Sequence, residues 1–133
     1  MLSHVTIGSN DLDRAGAFYD AVLQPLGLRR RQVEPDGGPL ALCWVGAKAY
    51  PRFYVYSPFD GQPATPGNGA MIAFIAPSRE AVDRAYAAGL EGGGAGEGAP
   101  GLRPHYAPDY YGAYLRDPDG NKLHLVHRPA LLA

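Results

Sequence analysis

The chain repeats itself at a distance of 67 residues, and an internal repeat constrains a fold more than any local signal does. Shifted by that distance, His4-Val5-Thr6-Ile7 falls on Met71-Ile72-Ala73-Phe74. Asp11 falls on Ser78, Ala15 on Val82, Tyr19 on Tyr86 and Gly27 on Gly94. Asp and Ser are both favoured helix N-caps, because their short side chains accept from the orphan amides of a first helical turn. Each unit therefore reads as a strand, a helix of three to four turns, and two or three further strands. The 133 residues suit one domain with its own core. Within it, one module spans about 1–60 and a second about 68–133, joined by a Pro- and Gly-rich linker over 57–69.

Hydrophobic periodicity sets the elements. Leu12, Ala15, Phe18, Tyr19 and Val22 recur at helical spacing and predict a helix over 12–23. Val82, Ala85, Tyr86 and Ala88 predict a second over 79–90, stopped by Gly92-Gly93-Gly94. Strands are predicted at 2–8, 28–34, 40–46, 51–57, 70–76, 102–106, 111–116 and 121–127. Asp117-Pro118-Asp119-Gly120-Asn121 is a strong turn signal between the last two. The glycine-rich 92–101 follows a helix and lacks the Lys and Ser/Thr of a phosphate loop. It reads as a long loop, either a flap or an ordinary connection.

Alternation along a strand sorts side chains between two faces. Val5 and Ile7 share one face with His4 and Thr6 opposite. Leu123 and Leu125 are apolar, with Lys122, His124 and Val126 opposite. Phe53 and Val55 face one way, Arg52, Tyr54 and Tyr56 the other. If helices cover the apolar side, the other side lines a cavity on which His4, Tyr54, Met71 and His124 converge.

Charge and cysteine content narrow the function classes. Net charge is −1, with basic residues dispersed. Nothing resembles a phosphate-backbone footprint, so no nucleic-acid partner is expected. The single cysteine, Cys43, lies in an apolar run and excludes an internal disulfide framework, which fits a reducing compartment. No signal-peptide pattern opens the chain and no apolar window is long enough to span a bilayer. The expectation is a cytoplasmic protein without membrane attachment.

The segments His4-Val5-Thr6-Ile7 with Asp11-Leu12 and Phe18-Tyr19 carry a family resemblance. So do Asn68 to Phe74, Gly101 to Tyr106, and Tyr110 to Lys122 through the Asp-Pro-Asp-Gly-Asn turn. Over nearly its whole length the chain resembles the vicinal oxygen chelate superfamily, which groups glyoxalase I, extradiol dioxygenases and bleomycin- and fosfomycin-resistance proteins. The resemblance implies an α+β fold in which two βαβββ modules form a curved eight-stranded mixed sheet around a pocket. It also implies a homodimer. Metal-dependent members place a ligand on the first and last strand of each module, usually His, Glu, His and Glu. Carried over, these positions hold His4, Tyr54 (to within about one residue of register), Met71 and His124.

This departs from a metal site. Borderline divalent metals take His, Asp or Glu, whereas a thioether suits Cu(I) and a neutral phenol is a poor ligand. Two outcomes stay open: a divalent metal (Zn, Ni, Mn or Fe) held by His4 and His124, or none. Without metal, the His pair would serve as general base and acid. Tyr54, Met71, Arg103, His105, Tyr106 and Tyr111 are the candidate substrate-binding residues, with Arg103 suited to a carboxylate. His105 and Tyr106 are placed on the sixth strand. Two functions follow. One is a glyoxalase- or dioxygenase-type enzyme acting on a small oxygenated molecule with metal assistance. The other is a metal-free protein that binds or sequesters an aromatic small molecule, as bleomycin-resistance proteins do.

Overall fold

Asp11 and Ser78 each start a helix, as the repeat requires. The Asp11 carboxylate accepts from the Arg14 amide at 3.0 Å, and the Ser78 hydroxyl from the Ala81 amide at 3.1 Å. The computed structural model describes residues 1–133. The first module runs β1 (His4–Gly8), α1 (Leu12–Leu23), β2 (Arg29–Arg31), β3 (Ala41–Val45) and β4 (Arg52–Tyr56). The second runs β5 (Ile72–Ile75), α2 (Arg79–Glu91), β6 (Ala95–Leu102), β7 (Tyr111–Arg116) and β8 (Lys122–His127). Hydrogen bonding divides the eight strands into two mixed four-stranded sheets of matching order, β1-β4-β3-β2 and β5-β8-β7-β6. In both, the first and last strands of the module pair in parallel and the rest antiparallel. The fold is the α+β pair of βαβββ modules that the sequence predicts.

One core serves both modules. Phe18, Tyr19 and Val22 of α1 and Val82 and Ala85 of α2 are buried with Trp44, Phe53 and Val55 of the first sheet and Phe74, Leu115, Leu123 and Leu125 of the second. Phe53 meets Phe74 edge to face at 5.2 Å, joining β4 to β5. Each such large side chain contributes about 1.5–3 kcal/mol of burial, so neither module has a reason to stand alone.

The 117–121 turn clasps the modules at one end. The buried Asp117 carboxylate accepts from the Tyr19 hydroxyl at 2.6 Å, from the amides of Asp119 and Asn121 and from Asn121 Nδ2, each at 2.9 Å. Asn121 Nδ2 also donates to the Gly8 carbonyl, and Asp119 accepts from Ser9 Oγ and the Asn10 amide. Burial, then the charge of Asp117, raises the Tyr19 pKa well above that of a free phenol.

The strands differ from expectation in three places. β2 is confined to Arg29–Arg31 and β5 begins at Ile72, which leaves Met71 one residue outside it. The sixth strand is Ala95–Leu102 rather than 102–106, so the glycine stretch is mostly strand and no flap. It carries no β-branched or aromatic residue to announce it. Its glycines answer a packing need: a Cβ on Gly96 would lie 2.4 Å from the Tyr86 hydroxyl of α2. The register with β7 slips twice along it, as glycine-rich edges allow. His105 and Tyr106 consequently lie in the turn that follows β6.

Candidate ligand-binding face

Both sheets turn their apolar side chains to the helices, so the opposite faces are open. β4 alternates as predicted, with Phe53 and Val55 buried and Arg52, Tyr54 and Tyr56 half-buried. The register identifies equivalent positions in the two modules. Tyr54 pairs with Thr6 and His124 with Ala73, and Thr6 and Ala73 coincide in the repeat. Tyr54 is therefore the true counterpart of His124. By the same register Arg52, opposite His4, is the counterpart of Lys122.

His4 stands exposed at the start of β1. Its Nδ1 lies 3.0 Å from the Ser3 hydroxyl, and its ring meets Tyr54 edge-on at 5.5 Å. The Tyr54 hydroxyl accepts from Arg52 Nη1 at 3.3 Å. Cys43 is buried on this side of β3, and burial pushes its thiol pKa up against the opposing influence of Tyr54, Arg52 and Arg31.

His124 is only 2% exposed. Its Nδ1 lies 2.9 Å from the Ala113 carbonyl and its Nε2 lies 2.7 Å from the Tyr110 hydroxyl. A carbonyl can only accept, so Nδ1 carries the proton and Nε2 of the neutral ring accepts from Tyr110. Tyr114, directly across on β7, stacks on the imidazole at 4.1 Å and 11°. Gly112 makes room for the ring, since a Cβ there would come within 2.7 Å of His124 Cε1. Burial lowers the His124 pKa, partly offset by the Ala113 bond, and the cations Arg103 and Lys122 act in the same direction as burial.

Around this pair the second sheet carries a tyrosine platform. Tyr106 packs on Tyr110 at 4.9 Å and on His105 at 4.2 Å, and the Tyr114 hydroxyl donates to that of Tyr106 at 3.5 Å. Burial, then the bond to Tyr106, pushes the Tyr114 pKa up to about 12. Arg103 donates to the Ala99 carbonyl at 2.8 Å and lies over Tyr114 at 5.8 Å. Tyr111 is elsewhere: its hydroxyl donates to Asp83 of α2 and Arg79 covers its ring, so it faces the helices. Odd positions of β7 point into the core, which alternation in Tyr111–Arg116 makes readable.

The linker shapes two cavities that the sequence does not announce. One of about 540 Å³ lies between the ends of β1 and β4 and residues 58–65, with Thr6, Tyr56, Phe59 and Asp60 in its wall. The other, of about 520 Å³, lies between residues 66–71 and the side chains of Arg116 and Lys122. Met71, 45% exposed, lines the second. His4 and His124 line neither. A linker has no periodicity, so its path over the sheet leaves no trace in the sequence, whereas Lys122 is legible from its alternation with His124.

The donor set does not suit a divalent metal. No three His, Cys, Asp or Glu side chains come together in a way that would hold one. Both nitrogens of His124 are already committed, its counterpart in the first module is Tyr54, and the counterpart of His4 is Met71. No helix is long and apolar enough to cross a membrane.

Residues 1–125 match the family model described as Glyoxalase/Bleomycin resistance protein/Dioxygenase superfamily. Among solved structures, a glyoxalase/bleomycin resistance protein from Albidiferax ferrireducens is 42% identical. It aligns over 97% of this chain and 99% of its own, with a TM-score of 0.81. Two more distant structures share the fold. A lactoylglutathione lyase from Agrobacterium tumefaciens is 20% identical, with 96% of this chain and 92% of its own aligned and a TM-score of 0.62. A glyoxalase I E144Q mutant from Zea mays is 23% identical, with 97% of this chain and 47% of its own aligned and a TM-score of 0.71. A search of curated proteins finds no match.

Proposed function

The chain belongs to the Glyoxalase/Bleomycin resistance protein/Dioxygenase superfamily, and from that premise we propose that it binds a small oxygenated aromatic molecule on the open face of its sheets without a metal ion. The observation that carries this reading is the state of His124. Tyr110 and Ala113 occupy both of its nitrogens, and stacking on Tyr114 fixes its ring. A metal would have to displace Tyr110 from a partly buried bond and would still find no carboxylate beside it. The same surroundings suit a ligand: half-buried Tyr54, Tyr110 and Tyr114 and exposed Tyr106 offer flat apolar area with hydroxyls at the edge. Tyr54, Tyr106, Tyr110 and Tyr114 are the residues assigned to this contact, with Arg103 at its rim.

The competing reading is metal-assisted lyase, isomerase or dioxygenase chemistry at His4 and His124. What favours it is that Nε2 of exposed His4 has no partner. One experiment decides between them. Untagged protein is titrated with Zn, Ni, Mn and Fe(II) beside His4→Ala and His124→Ala, and then screened by thermal shift against small aromatic compounds. Metal binding no tighter in the wild type than in the variants, with stabilisation by aromatic compounds, supports metal-free binding. Near-stoichiometric metal lost in both variants overturns it. A homodimer in the cytoplasm is the expected setting, and light scattering tests the oligomeric state.

A further inference from the structure

Arg116 and Lys122 face each other on neighbouring strands, a cross-strand arrangement that is unfavourable for like charges unless something neutralises them. Arg116 is neutralised within the chain: its Nε donates to Glu97 at 2.6 Å and its Nη1 to the Gly120 carbonyl at 2.8 Å. Lys122 has no such partner. The four ion pairs of the chain join Arg14 to Asp119, Arg30 to Asp20, Arg116 to Glu97 and Arg128 to Asp109. The Lys122 ammonium instead lies 5.4 Å from the centre of the Tyr114 ring, which Arg103 also overlies. Two cations thus meet at one end of the second sheet beside the single carboxylate of Glu97, and Arg103 reaches Tyr114 from the other end of β6, in a chain whose net charge is −1.

The cavity of about 520 Å³ opens at this place. Its volume falls within the range of small-molecule sites, roughly 300–1,000 Å³. The linker forms its other wall. The amides of Asn68 and Gly69 donate to no acceptor within the chain. Gly67 and Gly69 take left-handed backbone angles, with φ of 71° and 92°. Successive free amides in such a turn form a concavity suited to an anion.

We propose that this cavity is an oxyanion subsite, in which Lys122 supplies the charge and the linker amides of Asn68 and Gly69 the donors for a carboxylate or phosphate group of a small aromatic molecule lying along Tyr114. The proposal rests on the ligand-binding reading above and adds to it the charge of the ligand. It also gives Lys122 a purpose that packing does not.

The test is amide chemical-shift mapping on the intact chain at constant ionic strength, with sodium chloride as the reference titration. The probes are inorganic phosphate, benzoate and neutral benzyl alcohol, applied to wild type, Lys122→Met and Lys122→Arg. The expected result is that phosphate or benzoate shifts the amides of Gly67 to Met71. Lys122→Met should weaken that binding about tenfold or more, the loss of one charge-assisted contact, while Lys122→Arg keeps it. The stronger of the two anions then identifies which oxyanion the subsite takes. Anion binding unchanged in a folded Lys122→Met overturns the proposal. So do shifts near Tyr114 with benzyl alcohol but none at 67–71 with either anion; the ligand-binding reading survives that outcome. Shifts at 67–71 with phosphate but no binding of either aromatic probe leave the subsite standing and remove the aromatic reading.

Discussion

The Tyr110 hydroxyl donates to Nε2 of His124 at 2.7 Å, and this bond decides what His124 is available to do. With Nδ1 given to Ala113, the imidazole is a fully satisfied neutral group. The family resemblance expects a metal ligand at this strand position, but the surroundings of His124 are those of a structural acceptor. Tyr110→Phe should leave Nε2 buried and unpaired, costing about 1–3 kcal/mol. For a domain of this size that lowers the melting temperature by several degrees. Thermal unfolding of wild type and Tyr110→Phe checks it; equal stability would mean that Nε2 finds water and the ring is less enclosed than its geometry implies.

Stability should fall on acidification. The folded pKa of His124 lies below its ordinary value near 6.5. Between those two values the unfolded chain binds more protons than the folded one, so the folded state loses ground as pH falls. The contribution is complete above about 6.5 and declines as pH drops from there through the folded pKa. Urea unfolding at neutral pH and near pH 5.5 measures the slope, with His124→Gln as control. The control should be flatter over that interval, since the group whose pKa burial lowers is gone.

Gly112 is a second check on the same pocket. A methyl group there would sit 2.7 Å from His124 Cε1 and 3.1 Å from the Leu125 carbonyl, on two neighbours that have little room to yield. Gly112→Ala should cost about 1–3 kcal/mol by overpacking. It should also displace the imidazole from its stack on Tyr114, visible as a change in the His124 ring shifts. A variant as stable as wild type with an unmoved ring would show that the strands can separate there.

The sequence carries this fold well where periodicity operates and poorly where it does not. The repeat places Asp11 and Ser78 as caps, and alternation separates Phe53 and Val55 from Tyr54 and Tyr56. Both depend on local backbone geometry. The sixth strand was hidden because Gly96 and its neighbours are chosen for clearance beneath Tyr86, a contact between elements. The site was half legible. Alternation brings Lys122, His124 and Tyr114 to one face, but nothing local says that Tyr110 will reach back to cap His124. The clustering of tyrosines in the sequence points Tyr111 to the ligand wall, whereas its position in the strand turns it to Asp83.

Asp117 offers the strongest stability prediction. Four donors converge on its carboxylate, one from Tyr19 in the other module and three from its own turn. The group is 4% exposed, so these donors have no ready access to water once it is removed. Asp117→Ala should lose several hydrogen bonds to a charged acceptor and leave the Tyr19 hydroxyl unpaired in the core. The cost is about 3–5 kcal/mol, a large share of the roughly 5–15 kcal/mol typical of a domain. Tyr19→Phe removes one of the four donors and should cost about 1–2 kcal/mol. Denaturant unfolding of the two variants compares them directly. A Tyr19→Phe loss as large as that of Asp117→Ala would mean that the contact between modules, rather than the turn, carries the energy. The expected ordering, with Asp117→Ala much the worse, would make the turn the element that orders β8 and holds β1 against it.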